Sequence, residues 1–375
     1  MTYDVVVIGA GIVGAAVGRE VAKAGASVVV LDRELPGGQA SWAAAGMLAP
    51  QAESDGPGSF LDLLLRARDG FAELVRSLEA ETGIGLGYRR DGALLLSLTA
   101  EDDAAIEARF EWQRAAGLPV ERLSGAEARH LEPAISPATR SALRFAGDDQ
   151  VDNRMLTKAL WFSAAAAGAE MRIGERVVAI QLDPEPAVEL EQGTRIAART
   201  IVLAAGSWSA LIGGLPRRLP VEPVHGQLLS ITAAPPRLRH VCASPRGYLV
   251  PRADGRIIAG TTVERVGFRT RVTPAGLHRV ASVLVEIAPD LAELPLQDHW
   301  SGLRPGTPDG LPILGPDPDH PVLVYATGHF RNGILLGPLT GRLIADVALG
   351  RDPEVDLTPY SITRFSPEET MVQRS

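Results

Sequence analysis

Four residues near the start of the chain have the types and spacing of a phosphate cradle. Gly9, Gly11 and Gly14 form GxGxxG within VVVIGAGIVG (5 to 14), and Asp32 closes VVVLD (28 to 32). Gly9 allows a tight turn, Gly11 lets backbone approach a pyrophosphate, and Gly14 lets a helix pack against the preceding strand. The following helix presents N–H groups and positive potential to phosphate. Asp32 stands where an acid accepts hydrogen bonds from ribose hydroxyls, which disfavours the extra phosphate of NADP despite the neighbouring Arg33. The set points to a dinucleotide, and leaves open which one and for what reaction.

Other chemistries find no footing. The sequence contains no HExxH, GxSxG or P-loop pattern, so hydrolysis and phosphoryl transfer have no support. Cys242 is the only cysteine, which excludes an intramolecular disulfide and a cysteine-rich metal site. A net charge of −8, with no cluster of Lys and Arg, argues against nucleic-acid binding. The 375 residues suffice for two domains with substantial cores, and 46% hydrophobic with 22% charged residues is a globular composition. No basic stretch precedes a cleavable apolar segment, and no apolar run is long enough to span a bilayer. A cytoplasmic protein is expected.

Positioning these residues requires particular elements. Val5-Val6-Val7-Ile8 is a β-branched run suited to a central parallel strand. Ile12, Val13, Ala16, Val17, Val21 and Ala24 recur at helical spacing up to Gly25, and 27 to 31 makes a second buried strand. The small residues of GGQASWAAAGMLAP (37 to 50) would let backbone lie against a flat ligand or phosphate. Leucines and Phe71 predict one long amphipathic helix over 58 to 84. A strand at 92–98, a charged helix at 101–117 and a short helix within 123–135 follow. The acidic and amide residues of GDDQVDNRML begin a helix that runs to about Ala167.

ERVVAIQLD and AVELEQG read as a strand pair leading to ARTIVLAAGSWS (198 to 209), whose Ala204, Ala205 and Gly206 are small enough to approach a cofactor. HGQLLSI, GYLVPR and RIIAGTT predict strands, and 274–286 a helix. SGLRPGTPDGLPILG (301 to 315) is rich in turns. The last third ends in a strand, a glycine-flanked polar turn, and a helix from about Gly333. Nucleotide-binding elements thus lie at the start, middle and end, as in a discontinuous cofactor domain with a strand-rich domain inserted in two segments.

GAGIVG, ASWAAAGMLAP, IVLAAGSWS, GYLVPR, GLRPGTPDGLPILG and ATGHFRNGILLGP together resemble the FAD-dependent D-amino-acid oxidase superfamily, and within it the glycine oxidase family of thiamine thiazole biosynthesis. The likeness runs from about residue 3 to residue 345. It implies an α/β fold: a discontinuous Rossmann-like FAD-binding domain (1–85, 147–218 and 300–365) and a substrate domain (86–146 and 219–299) with a mixed or antiparallel sheet. It also implies a homo-oligomer, often a tetramer.

By the same resemblance, Ile12 and Val13 meet the pyrophosphate, and Asp32 with Arg33 the adenosine ribose. Ala40, Ser41, Ala45, Gly46 and Met47 lie beside pyrophosphate and flavin, and Val177 pairs with adenine through its backbone. The stretch His329, Phe330, Arg331, Asn332, Gly333, Ile334 and Leu335 covers the flavin edge, where a helix N-terminus stabilises negative charge. Arg304 grips the substrate carboxylate with two parallel N–H donors, and Tyr248 adds a hydroxyl. Arg331 is a second positive charge near flavin and substrate. His329 is expected to touch flavin or serve structure rather than act as a base. No cysteine stands where related sarcosine oxidases attach flavin, so the FAD is expected to be noncovalent.

The implied reaction is hydride transfer from a small amino acid or amine bearing a carboxylate to flavin N5. Hydrolysis of the imine then gives keto acid and ammonia, and dioxygen reoxidises the flavin to yield peroxide. His225 stands where relatives often have Lys or Arg. Val263 stands where some have a larger pocket residue, and its smaller side chain would admit substrates larger than glycine. Two alternatives stay open. One is a D-amino-acid dehydrogenase passing electrons to a quinone or protein. The other is a flavin subunit of a hetero-oligomeric amine dehydrogenase, as in hydrogen-cyanide synthase.

Overall fold

The two β-branched runs near the start become adjacent parallel strands, Thr2–Ile8 and Val28–Asp32, in the computed structural model, which describes residues 2–366. Residue 1, counted in the first cofactor segment, lies outside the described residues. Arg195–Leu203 pairs in parallel with the other edge of Thr2–Ile8, and Leu323–Thr327 pairs in parallel with Arg195–Leu203. Glu170–Ile173 and Ile313–Pro316 flank the sheet, and Val177–Gln181 with Ala187–Leu190 attach as an antiparallel pair. Parallel strands of this kind must be covered on both faces. Helices Ile12–Lys23, Asn153–Ala166 and Gly333–Ala348 cover one face, burying Val5, Val7, Val28 and Val30. Val6, Ile8, Val29 and Leu31 point to the other face, against Ile180, Val188 and Tyr325. Each such buried side chain contributes about 1.5–3 kcal/mol.

The second sheet has the order Leu296–Gly306, Glu222–Thr232, Arg256–Gly260, Gly247–Pro251, Val241–Ser244, Ala93–Ser97, Ser141–Phe145, Glu121–Ser124. Its pairings are antiparallel except Val241–Ser244 with Ala93–Ser97, so the sheet is mixed. Helix Pro274–Ile287 packs on one face, its N-terminus capped by the Thr273 hydroxyl accepting from Gly276 N at 3.1 Å. The boundary placed at residue 300 falls inside strand Leu296–Gly306, which belongs to this second sheet. The opposite face carries Trp300, Leu228 and Tyr248 toward Ala43 and Ala45.

The single helix expected over 58–84 is two, Ser59–Asp69 and Phe71–Thr82. Gly70 ends the first and opens the second, because glycine in a helix interior costs about 1 kcal/mol relative to alanine. The small-residue segment at 37–50 holds helix Ala40–Ala43 and strand Met47–Leu48, and Pro50 opens helix Pro50–Glu53.

Candidate active site

Between the two sheets runs a cleft of about 1940 Å³, part of it open to solvent. The GxGxxG turn forms one end. A Cβ at Gly9 would come within 2.5 Å of Ala204 O, and one at Gly14 within 1.8 Å of Gly9 O. Gly11 instead would meet only Ser41 Oγ at 3.3 Å, so its outer side faces the cleft. Ile12 N donates to Ser41 Oγ at 3.0 Å, which ties the helix start to the second cofactor segment.

Asp32 accepts hydrogen bonds from Ala10 N at 2.7 Å and Glu34 N at 3.1 Å. Burial pushes its carboxyl above the usual range, and the two N–H donors oppose that. The Arg33 guanidinium lies 4.0 Å from the centroid of a Trp208 ring, and both residues line the cleft. Val177 and Gly206 line it as well. A glycine turn tight against the sheet, a helix start whose N-cap Gly11 has no side chain, and an acid at the strand end fit the pyrophosphate and ribose of a dinucleotide.

Ala40, Ser41, Ala45, Gly46 and Met47 line the middle of the cleft. Arg252 holds this segment from behind and is buried itself. It donates to Ala45 O at 2.9 Å, Val151 O at 2.8 Å and Asn153 Oδ1 at 3.1 Å. Burial lowers its pKa to about 10, so it stays charged at neutral pH. Arg252→Met leaves two carbonyls without their donor and should loosen the backbone at 45–47. Melting temperature should fall in step with a loss of about 1–3 kcal/mol, and FAD retention through gel filtration should fall as well.

At the other end, Arg304, Tyr248 and Arg331 converge. Arg304 donates to Thr261 Oγ1 at 2.8 Å and Thr262 O at 3.4 Å, and it has no carboxylate partner among the described residues. Gly226 makes its position possible, since a Cβ there would lie 2.2 Å from Arg304 Nη1. Gly260 does the same for Tyr248, with a Cβ reaching 2.9 Å from its hydroxyl. Burial raises the Tyr248 pKa, and the nearby Arg304 opposes this only in part, so the phenol keeps its proton and can donate.

His329 lies on the cleft wall, but its Nε2 pairs with Thr340 Oγ1 at 3.0 Å. Burial pulls its pKa down to about 4, so the ring is neutral near pH 7 and held from behind. Phe330, Gly333 and Ile334 also line the cleft, and Phe330 adopts φ 44°. Three expected cofactor residues do not line it. Gly14 serves the packing of helix on strand, Asn332 is the N-cap of helix Gly333–Ala348, and Leu335 is buried in the core. Val263 is 61% exposed and off the cleft, so the pocket-size argument built on it fails. Strand Arg256–Gly260 ends before it, but Glu264 still bridges His225, so the chain stays beside Glu222–Thr232 and the Val263 side chain is turned outward. His225 is buried off the cleft, with Nδ1 against Glu264 at 3.0 Å.

Two residues of the site carried no signal strong enough to single them out. Arg252 ends the GYLVPR stretch already quoted. Glu53 follows the AAAGMLAP stretch and lines the arginine end of the cleft.

Among the described residues no group of three or more His, Cys, Asp or Glu could hold a metal ion. Among them, too, no helix is long and apolar enough to cross a membrane. The chain is 36% identical to glycine oxidase of Geobacillus kaustophilus over 365 residues, 96% of this chain and 97% of that one. It superposes on the crystal structure of glycine oxidase from Geobacillus kaustophilus with a TM-score of 0.94, at 35% identity over 97% of this chain and 99% of the other. It is also 34% identical to the bifunctional protein ThiO/ThiG of Nostoc sp., covering 99% of this chain and 56% of that longer one. The family described as DAO, FAD dependent oxidoreductase, matches residues 4–347. With a cleft built for a dinucleotide and these matches along nearly its whole length, the chain belongs to the FAD-dependent oxidoreductases of that family.

Proposed function

We propose that the chain oxidises glycine, sarcosine or small D-amino acids, with dioxygen as the acceptor. The products are a keto acid, ammonia or a primary amine, and hydrogen peroxide. The carrying observation is the Arg304 guanidinium at the end of the cleft, seated over Gly226 and ion-paired to no carboxylate among the described residues. A guanidinium left so exposed to a cavity is ready for an incoming carboxylate, which it can meet with two parallel donors. Noncovalent FAD, held by the glycine turn, Asp32 and the 40–47 segment, supplies the two-electron acceptor. Arg304 and Tyr248 fix the carboxylate and so orient the α-carbon. His329, with its pKa held at about 4 by burial and its Nε2 engaged by Thr340, is a poor proton acceptor, so the amine arrives deprotonated. Water then hydrolyses the released imine, or the imine passes to thiazole assembly for thiamine. On this reading the parallel sheet and its helices bind the cofactor and the mixed sheet binds the substrate.

Purified holoenzyme in air should form peroxide and consume oxygen in equal amounts with glycine or sarcosine. A flavin reduced by these amines yet stable in air would instead mark a dehydrogenase. Tyr248→Phe should raise the glycine KM about ten-fold or more through loss of one hydrogen bond to a charged group. Its kcat should move less. An unchanged KM would remove Tyr248 from the clamp.

A further inference from the structure

One carboxylate stands at the arginine end of the cleft, and the reaction above gives it no task. The cleft's other acids, Asp32 and Glu175, lie elsewhere along it, Asp32 at the glycine turn. Glu53 ends the short helix Pro50–Glu53, and its side chain forms no ion pair or hydrogen bond among the described residues. Its backbone is firmly held. Buried Asp148 accepts from Gln51 N at 3.3 Å and Ala52 N at 2.7 Å. Arg109 donates to Gln51 O at 3.1 Å and also to Ser54 O. Gln51 is itself buried and bonded to Gln113 at 2.9 Å. A helix pinned by three neighbours so that its last residue faces the cavity is an arrangement that places a charge.

We propose that Glu53 determines specificity by setting the charge of the substrate pocket, so that it accepts monocarboxylates and rejects substrates carrying a second anionic group. This rests on the carboxylate-binding reading of Arg304. The argument is a count of charges. Arg304 and Arg331 bring two positive charges to this end of the cleft, and Glu53 brings one negative charge. One substrate carboxylate neutralises the remainder. A second anion, on the substrate nitrogen or side chain, would then face Glu53 rather than a free Arg331. Like charges brought together in a cavity cost several kcal/mol and so work as exclusion. The electrostatic neighbourhood is consistent with this. Burial pushes the Glu53 carboxyl up, and Arg331, Arg304 and Arg109 pull it back, with Asp55 opposing them. Tyr248 and Asp148 complete the titratable groups that sense it.

The test uses holoenzyme and two ligands that cannot be oxidised as amines: methoxyacetate, with one carboxylate, and oxydiacetate, with two. Their dissociation constants are read from the change in flavin absorbance at mildly alkaline pH. In the native protein methoxyacetate should bind the tighter of the two. Glu53→Gln should shift the ratio toward oxydiacetate by about ten-fold or more, whereas Glu53→Asp, which keeps the charge, should leave the preference in place. Acidification should weaken the preference in the native protein and not in Glu53→Gln. FAD content and melting temperature show that each variant is folded. If both ligands bind and the ratio is the same in Glu53→Gln, the charge-setting role is overturned while the clamp stands. If neither ligand perturbs the native flavin, the Arg304 reading falls and takes this one with it.

Discussion

Arg304→Ala is expected to lower kcat/KM for glycine by roughly ten- to hundred-fold, chiefly through KM. Hydrogen bonds to a charged group are worth about 1.5–3 kcal/mol, and the guanidinium is the cleft's best-placed donor pair for a carboxylate. The arginine's own supports are few: Thr261 Oγ1, on the cleft wall, and the carbonyl of buried Thr262. Its removal therefore costs the fold little and the substrate much. Arg304→Lys should recover part of the loss, since it restores charge but not the planar fork. Binding of methoxyacetate, followed through flavin absorbance, separates the two contributions without turnover. A glycine KM that does not move in Arg304→Ala would refute the assignment.

The second large effect belongs to the glycine turn, where neighbouring residues should fail in different ways. A Cβ on Gly14 would sit 1.8 Å from Gly9 O, which is backbone and has nowhere to go. Gly14→Ala should therefore cost about 1–3 kcal/mol of stability with or without cofactor, and should release FAD. Gly11→Ala meets only Ser41 Oγ, at 3.3 Å, and points its methyl group into the cleft. It should leave the melting temperature of the cofactor-free protein nearly unchanged and still weaken FAD binding. Thermal melts with and without added FAD distinguish the two patterns. Equal loss of cofactor-free stability in both variants would contradict this division of labour.

How much of this could be read from the residues depended on how local the cause was. The parallel strands at the start were legible because Val5 to Ile8 and Val28 to Leu31 are unbroken apolar runs, which both buried faces require. The break at Gly70 was hidden by a leucine pattern that continues across it, since periodicity reports a buried face and not the continuity of the helix. Arg304 was legible as a residue of the cleft through motif likeness. Its seat was not, because Gly226 and Arg304 meet only through the pairing of Glu222–Thr232 with Leu296–Gly306, where Val224 stands opposite Arg304. Val263 misled for the opposite reason: a place in a motif says nothing about the side to which a side chain turns once its strand has become irregular. Arg252 and Glu53 act through carbonyls and charges supplied by segments far away in sequence, and no local pattern announces such partners.

The strand order of the parallel sheet bears on how the protein comes to exist in a cell. Thr2–Ile8 needs Arg195–Leu203 on one side, and that strand in turn needs Leu323–Thr327. At a synthesis rate of about 5–20 residues per second, the first strand waits roughly ten to forty seconds for its neighbour. Through that interval an edge with the apolar run Val5 to Ile8 stays open, a template for pairing with another nascent chain. Contacts so distant along the chain also slow closure once the chain is complete. Cofactor loading is therefore a late event in biogenesis, and the yield of active protein should respond to chaperone supply and to expression temperature more than its native stability suggests.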